Sequence, residues 1–86
     1  MNVTVQLFGA FRDWQTDAPL TLSLADDARI ADVRAALAAH AQAHWPGFRA
    51  GLLQVSAFAS DTRILRDADP VPGDGRLAVL PPVNGG

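Results

Sequence analysis

One stretch of the chain is built for a long helix, and the rest must be arranged to cover its apolar side. From Ile30 to about His44 the sequence is rich in alanine, the strongest helix former. Ile30, Val33, Leu37 and Ala41, continued by Trp45, fall along one face. Pro46-Gly47 then stops the helix. The flanking segments have a different period. Val3, Val5 and Leu7 alternate with Thr4, Gln6 and Phe8, and Leu20, Leu22 and Leu24 alternate with Thr21 and Ser23, so both read as half-buried strands. One helix between runs of strands, in 86 residues, predicts an α+β domain with the helix packed across one mixed sheet of four to five strands.

The remaining elements follow in order. Gly9 to Ala18 is a connection in which Phe11 and Trp14 can fold back over the core edge, and for Trp14 packing is favoured over stacking on a ligand. Asp26 and Asp27 precede the helix, where negative charge suits the positive end of its dipole and a carboxylate can cap free N–H groups. A third strand is predicted over Leu53 to Ala59, with Leu53, Val55 and Ala57 sharing one face. A turn at Ser60-Asp61, a short strand over Thr62 to Leu65 and a loop over Arg66 to Gly75 come next. Arg76 to Leu80 is the last strand, with Leu77 and Val79 on one face and Ala78 and Leu80 on the other. Phe8 is the odd member of the first strand, because its parity points it away from Val3, Val5 and Leu7.

Composition removes several classes of chemistry. The absence of Cys excludes disulfides, thiolate catalysis and cysteine-ligated metals from the chain itself. Every basic residue is Arg and every acid Asp, so the chain has no lysine of its own to accept an isopeptide bond. A formal net charge of -2 argues against nucleic acid or an anionic membrane surface as main partner. No signal-peptide pattern or bilayer-length apolar run is present, which makes a cytoplasmic location the expectation. His40 and His44 have the spacing of two imidazoles on one metal, but no third ligand accompanies them and a solvated helix face is the preferred reading. Asp67 to Gly75 has the acids of a calcium loop but prolines inside it and no closing Glu, so an ordinary acidic turn is preferred. No serine lies in a Gly-x-Ser-x-Gly frame, no phosphate-binding loop is present, and the seven arginines are scattered as on a solvated surface.

What remains is the carboxyl end, Pro81-Pro82-Val83-Asn84-Gly85-Gly86. Prolines lack N–H groups and fix φ, so Pro81 and Pro82 stop the last strand and stiffen its exit. Beyond them Gly85-Gly86 can thread a channel too narrow for side chains. Extended at about 3.3 Å per residue, this tail spans roughly 20 Å, enough to enter another protein's active site.

The run Leu77-Ala78-Val79-Leu80-Pro81-Pro82-Val83-Asn84-Gly85-Gly86 resembles the ending of the MoaD/ThiS sulfur carriers, in the form it takes in small subunits of molybdopterin synthases. Val3 to Asp13 is similar to the family's first strand, its small residue and its following Arg-acid pair. The resemblance implies a β-grasp (ubiquitin-like) domain over residues 1–80, with first and last strands parallel at the sheet centre, and a flexible tail over 81–86. It also implies a function. An E1-like adenylyltransferase would use ATP to activate the terminal carboxylate of Gly86, and a sulfurtransferase or desulfurase would supply the sulfur that turns it into a thiocarboxylate. The loaded tail would enter the large subunit of molybdopterin synthase. The chain would bind no cofactor and would be no enzyme on its own. Phe8, Leu80, Pro81, Pro82, Val83, Asn84 and Gly85 would meet the partners, with Phe8 and Leu80 as an exposed apolar pair on the face without the helix. The chain departs from the usual family pattern at Asn84, where Ser or Thr is common, and at Asp74-Gly75-Arg76, where Gly-Asp and an acid are usual. Other acceptors therefore stay open: thiamin thiazole, a cysteine route or a specialised metabolite. A ubiquitin-like modifier joined through Gly86 to lysines of other proteins, or a plain interaction module, stays open as well.

Overall fold

The computed structural model describes residues 1–15 and 19–82. In chain order its elements are β1 (Asn2–Leu7), α1 (Ala10–Trp14), β2 (Leu20–Ser23), α2 (Ile30–His44), α3 (Ala50–Gln54), β3 (Ala57–Ala59), β4 (Ile64–Leu65) and β5 (Arg76–Leu80). The strands form one mixed sheet in the order β2-β1-β5-β3-β4. β1 and β5 lie parallel at its centre, with Val5 opposite Leu77 and Leu7 opposite Val79. The other neighbouring pairs are antiparallel. This is the β-grasp arrangement, and the two alternating strands at its middle explain why the register is fixed: a slip by one residue would turn Val3, Val5, Leu7, Leu77 and Val79 out of the core.

The helix stripe closes that core. Ile30, Val33, Leu37, Ala41 and Trp45 are buried in one cluster with the inward side chains of the sheet. The carboxylate that caps the start of helix α2 is that of Asp32, at its third position, and not that of Asp26 or Asp27. The Asp32 carboxylate accepts the Arg29 N–H at 2.8 Å, while Asp26 pairs with the chain's N-terminal ammonium at 3.1 Å. The other open N–H groups of the first turn are met by the loop before β5: Ile30 donates to the Asp69 carbonyl at 2.9 Å and Ala31 to that of Asp67 at 3.0 Å. The acidic turn is thus a cap for the helix.

Leu53 to Val55 does not belong to the third strand. Ala50–Gln54 coils into the short α3, closed by the Val55 N–H to the Gly51 carbonyl, and β3 starts only at Ala57. Its face is the opposite of the expected one: Phe58 is fully buried, whereas Val55 is 65% exposed and Ala57 half-buried. The helical turn resets the parity that alternation from Leu53 would have imposed. Ala10–Trp14 is likewise helical, and it seats Phe11 in the core. Gly75 holds the entry to β5, with φ at 67°, its carbonyl accepting the Thr4 N–H at 2.7 Å, and the Asn2 carbonyl only 2.7 Å from where a Cβ would stand. That contact explains Asp74-Gly75 in this order, because only glycine fits at position 75.

Candidate functional site

The alternation that buries Val3, Val5 and Leu7 sends Thr4, Gln6 and Phe8 to the opposite face of the sheet, and the same rule places Arg76, Ala78 and Leu80 there from β5. Phe8 is 42% exposed and Leu80 half-buried. Leu7 is opposite Val79, so the next residues, Phe8 and Leu80, continue the same pair of strands. Leu80 is also opposite Ala57, and Ala78 opposite Ala59, which pairs with Ile64. Ile64 is 58% exposed. The result is an apolar band from Phe8 and Leu80 across small alanines to Ile64 at the sheet edge. Parity in a strand of two residues gave no signal for Ile64, which sequence reasoning missed.

Nothing from the aromatic residues nearby covers this band. Phe11 is fully buried on the helix side, and Trp14 stacks on Trp45 with centroids 5.7 Å apart and planes 19° from parallel. Phe48 meets both indoles edge-on. The indole N–H of Trp45 donates to Gln15 Oε1 at 2.8 Å, and His40 Nε2 lies 3.3 Å from the same oxygen. His40 is therefore half-buried at the edge of this cluster, whereas His44 is exposed on the solvated face expected for both. Its pKa is lowered by burial and, secondarily, by His44, whose ring is 4.6 Å away. Among the described residues no group of three His, Cys, Asp or Glu side chains could hold a metal ion.

A cleft of about 370 Å³ lies on the band's polar flank, lined by Thr4, Gln6, Phe8, Asp61, Arg76 and Ala78. The chain leaves the sheet beside the apolar end. Pro81 is half-buried with its ring against Gly9, and Pro82 is exposed. Phe8, Leu80, Pro81 and Pro82 are thus brought together at one corner of the open face, where β1 and β5 end side by side. Val83, Asn84, Gly85 and Gly86 lie outside the described residues. No described helix is long and apolar enough to cross a membrane.

Comparison with known proteins gives this geometry a family. The model of the ThiS family matches residues 5–86. The molybdopterin synthase sulfur carrier subunit of Synechococcus elongatus is 37% identical over 87 aligned positions, covering 99% of this chain and 97% of that protein. Among solved structures, SAMP1 from Haloferax volcanii superposes with a TM-score of 0.74 over the whole of both chains at 18% identity, a likeness of fold. A β-grasp sheet whose central strand ends in Pro-Pro beside an apolar face, matched by the family through its last residue, makes this chain a member of the ThiS family, a sulfur carrier of the MoaD/ThiS type.

Proposed function

We propose that the chain carries sulfur on the carboxyl group of Gly86 and delivers it to a molybdopterin synthase large subunit. The observation that carries this reading is the 37% identity, along nearly the full length of both chains, to a molybdopterin synthase sulfur carrier subunit. The fold supports it by ending β5 next to an exposed apolar band, so that one partner can grip the band while the residues after Pro82 enter its active site.

The chemistry begins from an unreactive group. A terminal carboxylate, with an ordinary pKa of about 3.5, is ionised at neutral pH and resists nucleophiles. An E1-like adenylyltransferase solves this by letting a Gly86 oxygen attack the α-phosphorus of ATP, which expels pyrophosphate and leaves an acyl-adenylate. A sulfur donor, sulfurtransferase or desulfurase, then supplies the sulfur that attacks the acyl carbon and displaces AMP: hydrosulfide gives the thiocarboxylate directly, and a persulfide gives an acyl disulfide that a thiol reduces to the thiocarboxylate. In the large subunit that sulfur passes to a pterin precursor. Gly86 is a reactant, and the catalytic side chains belong to the partners. Gly85 contributes by lacking a side chain where the tail must pass through a narrow channel.

Two tail variants test this. Deleting Gly86, or the change Gly85→Phe, is expected to abolish ATP-dependent AMP loading by the activating enzyme while leaving the thermal midpoint of the domain where it was, because both positions lie beyond β5. Normal adenylation of Gly85→Phe contradicts the narrow-channel account.

A further inference from the structure

Gly9 stands immediately after Phe8 with φ at 59° and ψ at -135°, a region that side chains other than glycine's rarely enter. A Cβ built on it would lie 2.7 Å from Cγ of Pro81, with Cδ and Cβ of the same ring at 3.7 and 3.9 Å. The two sides of this contact differ in freedom. Gly9 is held from before by Leu7 and from after by Phe11, both fully buried, and its carbonyl accepts the Arg12 N–H at 3.1 Å to open α1. Among the described residues Pro81 is held from before by the pairing of Leu80 with Ala57, and Pro82 after it is exposed. The Pro81 ring is also part of the main chain, so it cannot turn away as a flexible side chain would. Pressure at this point moves the backbone that leads out of the domain.

We infer that Gly9 is a positioning residue for sulfur loading: its missing side chain lets the Pro81 ring seat against the β1–α1 junction, and that seat sets the direction in which the chain leaves the sheet. The inference rests on the proposed carrier function. Docking and aiming then separate. The exposed Phe8 and the half-buried Leu80 beside it govern how tightly a partner binds, and the Gly9–Pro81 seat governs how often a docked carrier presents its carboxylate to ATP. Misplacement by about 1 Å at a reacting centre can cost on the order of a hundredfold in rate.

The experiment is steady-state adenylation by the E1-like enzyme with ATP, followed by pyrophosphate release, on the full chain and three variants, below the thermal midpoint of each. Gly9→Ala should lower kcat about tenfold or more with KM nearly unchanged. Pro81→Ala, which removes the ring without touching the core, should also lower kcat at an unchanged midpoint. The double variant should have a kcat no lower than Pro81→Ala alone, because the clash with the ring no longer exists; the backbone strain that alanine carries at φ 59° remains and lowers its thermal midpoint. Gly9→Ala with normal kcat, a loss confined to KM, or additive losses in the double variant would each overturn the inference. If Gly9→Ala does not fold, unchanged kcat in Pro81→Ala overturns it equally. Failure of the unaltered chain to be adenylated would instead strike the carrier function itself.

Discussion

Arg34 directs its whole guanidinium at three residues on two separate segments. Nη1 donates to the carbonyls of Leu53 at 2.6 Å and Ser56 at 2.8 Å, while Nε and Nη2 share one Asp67 oxygen at 3.2 and 2.9 Å. The group also sits 5.0 Å from the centre of the Phe58 ring. It ties α2 to the end of α3 and to the loop that caps α2, and so fixes where β3 begins. A composition of scattered arginines concealed this, because two of the three partners are backbone carbonyls that no side-chain pattern announces and the third, Asp67, is distant in sequence. Arg34→Ala is expected to destabilise the domain by about 2 kcal/mol or more in denaturant unfolding, and Arg34→Lys to recover only part, since an ammonium lacks the planar fork. His40 makes a prediction in pH. Its folded-state pKa lies below the ordinary 6.5, so the unfolded chain binds the proton more readily. The stability that the neutral ring contributes is complete above about 6.5 and falls as pH drops through the lowered value. The thermal midpoint should decline on acidification through this window, and the decline should be shallower in His40→Gln.

At the scale of elements, the long helix and the central strands were legible because their residues repeat a clean period. Alanine propensity and the stripe from Ile30 to Ala41 gave α2 its observed bounds, and Arg76–Leu80 is the strand that alternation predicts. Leu53 to Val55 was not legible, because a short apolar run suits a strand or a helical turn equally and only tertiary ties, those of Arg34 above all, decide it. The apolar band was half legible. Parity placed Phe8 and Leu80 on the open face, although Leu80 is half-buried there and only Phe8 of the expected pair is exposed, whereas Ile64 needed the sheet order to bring β4 into line with them. Phe8→Ala and Ile64→Ala should each weaken partner binding at least tenfold if the side chain is buried in the complex, corresponding to roughly 1.5–3 kcal/mol, with little change in monomer unfolding. Lost stability with unchanged affinity would make these side chains part of the fold and not of the interface.

At the scale of the whole molecule, fold and function meet at the end of β5. A parallel central pair delivers the C-terminal chain to the same edge at which β1 ends, beside the only described corner where Phe8, Leu80 and the proline pair coincide. Under the proposed function the domain is a handle for a reactant placed on its last residue, and any sulfur must come from elsewhere because the chain holds no cysteine. The central claim is that Gly86 becomes a thiocarboxylate, and intact-mass measurement tests it most directly. With the activating enzyme, ATP and a sulfur donor, the account predicts a population heavier by one sulfur in place of one oxygen, located by fragmentation at Gly86. Loading at any other residue, or none with competent partners, would contradict it.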